Sequence, residues 1–252
     1  DDWGTSYRVG VNIPLKQDAL ALRASYAGNN IAGYIDNLFD GRKDINEGEQ
    51  TSARAALLWQ GDGIDVTFTA MQQKIDSDNN AVAALDPVTH GRIAGLSNYV
   101  GVDEKFEKDI DNYALTVNWD AGFADFVSAT SYTHTHTLTR SDLTFSYGEF
   151  PLALLALDPT LEAGKAWLHY TLDLQQFTQE FRLQSKAGQP FEWLVGAFYS
   201  DEDGKNFQQI PLTQMDGSPL HAPWGDLIGI LGELSVPTTY KETAVFANGA
   251  YS

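Results

Sequence analysis

The chain has no cysteine. That excludes a disulfide scaffold, thiol catalysis and cysteinyl zinc sites, without fixing a compartment. Basic residues are scarce: 16 Lys and Arg stand against 34 Asp and Glu, a formal charge of −18 over 252 residues. Nucleic-acid binding needs clustered cations on phosphates, so this balance argues against such a partner. Long apolar runs are also missing. Pro151–Leu157 and Leu227–Leu231 are the longest candidates, far short of the roughly 20 residues of a membrane helix. Asp1-Asp2-Trp3-Gly4 offers no basic n-region and no apolar h-region, so no signal peptide is read there. No nucleophile elbow, phosphate loop or HExxH helix occurs, and carboxylate spacing alone does not define a glycosidase pair. The chain is read as a non-enzyme with no cofactor. Yet 43% of it is hydrophobic and 12% aromatic, too much for a disordered chain. A soluble globular protein or a β-barrel remains, and a barrel gives only a weak signal per segment.

Alternation with period two dominates what is present. Tyr7, Val9, Val11 and Ile13 alternate with Ser6, Arg8, Gly10 and Asn12. Leu20, Leu22, Ala24 and Tyr26 repeat the pattern. So do Ile64, Val66, Phe68 and Ala70, and then Tyr113, Leu115, Val117 and Trp119. Phe177, Phe181 and Leu183 oppose Thr178, Glu180 and Arg182, and Phe191, Trp193, Val195, Ala197 and Tyr199 form one more apolar face. Segments 51–60, 123–134 and 239–252 also read as strands, but their faces are not assignable. The expectation is an all-β antiparallel meander of about nine strands.

The connections carry more. Lys16-Gln17-Asp18, Gly61-Asp62-Gly63, Asp120-Ala121-Gly122 and Lys186 to Pro190 are short turns in which Gly and Asp supply backbone freedom. Between them lie long connections, roughly 27–48, 75–109, 135–172 and 202–238. Loops beyond about 12–15 residues are uncommon in compact soluble domains. A transmembrane barrel has short periplasmic turns and long outer loops, which predicts this alternation. Trp59, Trp119, Phe123, Phe191 and Trp193 sit beside the short turns. Tyr26, Tyr113, Tyr132, Phe177, Tyr199 and Tyr240 sit toward the long loops. Two aromatic girdles at two interfaces predict that distribution. Ser252 follows what reads as an unfinished strand, so a piece of a larger barrel is expected.

Candidate site residues are few. Tyr147, Trp167 and Trp224 lie in unusually apolar loop segments and are candidates for an external ligand vestibule. His134 and His136 share a strand face and are weak metal candidates with no third ligand apparent. Asp201-Glu202-Asp203-Gly204 and Asp76-Ser77-Asp78 read as acidic solvated loops, since neither completes a calcium loop. Arg8, Arg23, Asn112, Asn118, Glu180 and Arg182 fall on the polar, lumen-facing side of the expected strands.

These segments also carry a family resemblance. Gly33-Tyr34-Ile35-Asp36-Asn37 with Gly41-Arg42-Lys43-Asp44-Ile45-Asn46, and the stretch from Tyr7 through Ala24 before them, resemble the first outer loop and preceding hairpin of TonB-dependent outer-membrane receptors. Arg54-Ala55-Ala56-Leu57-Leu58-Trp59 resembles the strand that follows. Thr178 to Leu183 and Trp193 to Tyr199 resemble a recurring hairpin. The similarity is strongest to receptors common in sphingomonad-like bacteria. It implies one partial barrel domain over 1–252, lacking the N-terminal plug, the TonB box and the remaining strands of a 22-stranded receptor. It implies a bacterial outer-membrane location, with membrane lipid, TonB, the plug and a small-molecule or metal-chelate ligand as partners. Arg8, Arg23, Glu180 and Arg182 would then face the plug. A passive porin-like channel, a secreted β-sheet binding module and a carbohydrate-active enzyme remain alternatives.

Overall fold

The structure, a computed structural model, describes residues 3–251. Its strands are β1 (Thr5–Lys16), β2 (Leu20–Ile31), β3 (Asp36–Asn37), β4 (Gly48–Gln60), β5 (Ile64–Asp78) and β6 (Ser97–Asn98), followed by β7 (Lys105–Asp120), β8 (Ala124–Asp142), β9 (Gly164–Ser185), β10 (Phe191–Gln214) and β11 (Ile230–Tyr251). Two short helices, α1 (Thr144–Tyr147) and α2 (Trp224–Ile228), and a 3-10 turn at Phe150–Leu154 lie between the later strands. Nine strands form one antiparallel sheet in the order β1-β2-β4-β5-β7-β8-β9-β10-β11. β3 and β6 pair separately, in parallel. The expected nine-stranded meander is what forms.

Register fixes the faces left open above. Leu57 pairs with Leu22 and Phe68, which places Ala55, Leu57 and Trp59 on the apolar face. Phe126, Ser128, Thr130 and Tyr132 lie on that face through Trp119, Val117, Leu115 and Tyr113. Val245 and Ala247 join it through Ala197 and Val195. Small residues such as Ala53, Ser128 and Thr130 had blurred the alternation. Tyr240 departs from expectation: it pairs with Glu202, on the opposite, polar face. Phe123 lies in a turn instead of a strand.

Among the described residues no second layer covers the apolar face. Val9 is 61% exposed, Leu115 40% and Val195 42%. A soluble sandwich would pack such residues into a shared interior. Here the dry clusters lie in the outer loops and at the strand ends that carry them. Ile35, Ile45 and Val100 form one, and Ala166, Leu212 and Leu220 form the other.

The exposed band has two aromatic edges. On β7 Trp119 and Tyr113, on β8 Phe126 and Tyr132, and on β10 Trp193 and Tyr199 are each six positions apart, about 20 Å along a strand. The outer edge also runs obliquely. The residue level with Tyr7, followed through Gly28, Thr51, Lys74, Asp109, His136 and Asp173, is Lys205. The aromatic of β10 is Tyr199, six positions nearer the short turn. Spread over the intervening strand spacings of about 4.8 Å, that drift makes a tilt of roughly 30°. Strands in a closed barrel must be staggered in this way.

The strands are longer than the alternation indicated. The long connections shrink to 32–47, 79–104, 143–163 and 215–229. β10 has 24 residues, against about 9–11 needed to cross a bilayer. Beyond the outer aromatic edge, stretches such as Gln72-Gln73-Lys74 and Thr133-His134-Thr135-His136 are polar on both faces. Hydropathy alternation ends there, but backbone pairing continues.

Candidate functional site

The outer ends of the strands carry two folded loop assemblies. The first is tied by buried asparagines, whose side-chain amides pair with backbone as a neighbouring strand would. Asn37 Nδ2 donates to Val100 O at 2.9 Å, and Asn37 Oδ1 accepts from Val100 N and Phe39 N, each at 3.0 Å. Asn46 Oδ1 accepts from Tyr34 N at 2.8 Å and Ile35 N at 2.6 Å. Asn79 Nδ2 donates to Ile45 O, and its Oδ1 accepts from Glu104 N, both at 2.9 Å. Loop 32–47 is thereby fastened to loop 79–104. Gly33 is required sterically, since a Cβ there would stand 1.9 Å from Asp44 O. The segments that carry the family resemblance are thus the fastening of this assembly.

The second assembly centres on Asp158. Its Oδ1 accepts from Thr160 Oγ1 at 2.6 Å and Thr160 N at 3.0 Å. Its Oδ2 accepts from Trp224 Nε1 at 2.8 Å and lies 2.9 Å from His221 Nε2. Loop 143–163 is so latched to loop 215–229. Trp224, Ile228, Leu143 and Leu231 pack against Ala166, Leu212 and Leu220. The Thr160 hydroxyl first, then His221 and Trp224, hold the Asp158 carboxyl well below the usual carboxylate range. A lowered carboxyl favours the folded state above its unfolded value, and the effect is lost as pH falls through the folded value. The latch is therefore expected to hold at neutral pH and release only below the ordinary carboxylate range. The Trp224 indole N–H resonance should broaden or shift there. An Asp158→Asn variant showing the same acid transition would contradict this origin.

The vestibule candidates separate. Tyr147 ends α1, and Trp224 belongs to the latch just described. Trp167 lies not in a loop but on β9, opposite Asp142 and on the apolar-row side of the sheet. Among the described residues no aromatic stacking joins the three. Asp158, His221 and the three asparagines were not singled out from sequence. The Asp158-Pro159-Thr160 turn and the Asn placements were the available signals, and both are common in ordinary loops.

His134 and His136 are mid-strand on β8, not at a strand end. Both approach Asp173 across the β8–β9 pair, at 3.3 and 3.5 Å. No group of three or more His, Cys, Asp or Glu among the described residues is arranged to hold a metal. Asp76–Asp78 and Asp201–Gly204 lie in strands instead of loops, where successive side chains alternate faces. Asp76 and Asp78 share a face and clasp Lys105 Nζ at 2.5 and 2.8 Å.

Two concavities differ in charge use. A cleft of about 720 Å³ is lined by Arg42, Lys105, Arg140, Asp78 and Asp103, among others. Its cations are engaged: Arg42 with Asp103, Lys105 with Asp78, and Arg140 Nε with Asp103 O. A second, of about 610 Å³, lies at the outer end of the sheet's polar face, lined by Ser6, Arg8, Asn29, Gln50, Ser52 and Gln73. The polar face also bears Arg23, Asn112, Asn118, Glu180 and Arg182, with Arg182 paired to Glu180.

No protein-family model matches the chain, and no curated protein does. Twelve chains of solved structure match. Among them is the ferric yersiniabactin uptake receptor FyuA of Yersinia pestis, with a TM-score of 0.72 and 13% identity over 98% of this chain. This chain spans 35% of that receptor's length. The open sheet, its unbacked apolar face and this likeness agree: the chain has the fold of a stretch of antiparallel β-barrel wall.

Proposed function

We propose that this chain is part of the wall of a TonB-dependent receptor in a bacterial outer membrane. In that reading the apolar band between the two aromatic belts meets lipid, and the polar face lines the interior. The outer loop assemblies capture a scarce small molecule or metal chelate, and rearrangement of a plug driven through TonB admits it. Arg8, Arg23, Glu180 and Arg182 face the plug, and Tyr147, Trp167 and Trp224 border the ligand's entry. The observation that carries the reading is the exposed apolar band with an aromatic belt at each edge on an unbacked sheet. The resemblance to sphingomonad-like receptors names a subtype, and that subtype rests on sequence similarity alone.

Expression of the full gene in a Gram-negative host tests it. The product should fractionate with the outer membrane and migrate anomalously on gels until heated. Among a ferric hydroxamate chelate, a cobalamin and a maltodextrin, at least one should enter only cells that possess TonB. Uptake independent of TonB would favour a passive channel. A monomer folded in plain buffer without detergent would sink the membrane reading entirely.

A further inference from the structure

The face that carries the apolar band does not stop at the outer aromatic belt. Its rows continue as Lys105 and Glu107 on β7, Leu138 and Arg140 on β8, and His169 on β9. Lys105 stands opposite Asp78 of β5 on one side and Arg140 on the other, and Arg140 stands opposite His169. All six side chains line the 720 Å³ cleft. The cleft therefore opens on the side of the apolar band, away from the barrel interior. A plug, or a nutrient on its way through, occupies the opposite side. Tyr147, Trp167 and Trp224 are not in the lining.

Loop 32–47 contributes Arg42 and Glu47 to the same wall. Asn37 and Asn46 fasten that loop, and Arg42 is paired with Asp103, so the shape is set before anything binds. The height of the cleft matters as much as its direction. Lys105 lies eight positions past Tyr113, and Arg140 eight past Tyr132, about 27 Å along a strand. With the strand tilt of a barrel, that is roughly 20 Å above the belt. Phospholipid headgroups fill only about 5–8 Å beyond the hydrocarbon. A headgroup of several sugars is what reaches the cleft from the membrane.

The lining carries charges of both signs, held in place by one another. Lys105 is held by Asp78, and Arg42 by Asp103. Other groups keep bonding capacity. Arg140 uses Nε on Asp103 O and retains the donors of its terminal nitrogens. Glu107 stands 4.0 Å from Lys105 Nζ, beyond hydrogen-bond reach. The His169 ring is set edge-on against Phe207, with centroids 6.2 Å apart. Leu138 adds an apolar patch. Sugar hydroxyls donate to carboxylates and accept from guanidinium and imidazole N–H groups, and the C–H face of a sugar ring packs on an aliphatic side chain.

We infer that the outward cleft holds the oligosaccharide headgroup of a glycolipid in the surrounding outer leaflet, tying the barrel wall to its membrane. This rests on the membrane placement in the receptor reading and adds a lipid partner to it. A free sugar offers the same hydroxyls, but a cleft on the lipid side, outside the barrel, favours one tethered in the leaflet.

The full receptor is reconstituted in phosphatidylcholine nanodiscs that contain either lipopolysaccharide with its core sugars or lipid A, the anchor without them. Native mass spectrometry then counts the glycolipid retained on the protein. Retention of the sugar-bearing form should exceed that of lipid A about tenfold, the effect of one hydrogen bond to a charged group. Glu107→Ala and His169→Ala should each remove most of that preference. Asp203→Ala, on the same face but outside the cleft, should keep it. Heat-modifiable migration verifies each fold, and if one cleft variant fails to fold the other decides. Equal retention of the two lipids overturns the inference. So does a preference that survives the cleft variants, or one that falls as far with Asp203→Ala. Free core oligosaccharide that binds as tightly as the lipid and enters cells through TonB also overturns it, because the cleft would then serve cargo. TonB-dependent uptake by the unaltered receptor is scored separately. Equal retention on a receptor active in uptake ends the glycolipid role and leaves the receptor reading standing, whereas a chain that never inserts ends both.

Discussion

Replacing Leu115 with arginine will destabilise the folded protein in a bilayer by about 2–4 kcal/mol, the cost of a cation on the lipid face near the membrane centre. Leu115 sits between Tyr113 and Trp119 on the apolar face, 40% exposed with no second layer against it. In water a side chain so exposed tolerates a charge, and surface substitutions usually shift stability by less than about 0.5 kcal/mol. The two readings therefore differ several-fold in one number. Thr116→Arg is the control, since Thr116 occupies the other face of the same strand, between Thr67 and Ala129. It should cost little. Urea titration in phospholipid vesicles, followed by tryptophan fluorescence, measures both. If Leu115→Arg matched Thr116→Arg, the band would not be solvated by hydrocarbon.

The second large effect is expected at Asn37→Ala. The side chain is 1% exposed and makes three hydrogen bonds, two with Val100 and one with Phe39 N. Removing it leaves buried backbone groups without partners, each worth about 1–3 kcal/mol. Partial re-solvation of the loop limits the sum, so about 3 kcal/mol is the expected loss, confined to the outer assembly. Ile35, Ile45 and Val100 should become accessible together, because they form one cluster. Hydrogen exchange at the Val100 amide should accelerate about a hundredfold, while amides in the middle of β7 keep their protection. Equal acceleration in both places would mean that loops and wall unfold as one unit.

Both predictions rest on features with different visibility in the sequence. The Leu115 face was legible because its neighbours alternate strictly, from Tyr113 to Trp119. The four short turns were legible from Gly and Asp. Asn37 was quoted only as part of a resemblance, because an Asn at a loop position reads as solvated until the chain folds back over it. The strand that hydropathy marks as 123–134 stops at His134 for a related reason: the apolar period ends at Tyr132, but β8 continues through His136 to Asp142. Tyr240 shows the limit of reading aromatics by position along the chain. One residue of offset moves a side chain to the other face, and only its pairing with Glu202 reveals which.

The sequence by itself determined the strands of the wall and the order of short and long connections, since these follow from period-two hydropathy and turn chemistry within a few residues. Only the tertiary structure decided the oblique aromatic belt, the Asp158 latch and the gathering of Lys105, Arg140 and His169 in one outward cleft. Each of these depends on register between strands or on contact between loops about 60 positions apart, as in Asp158 with Trp224. Local periodicity carries no information about either.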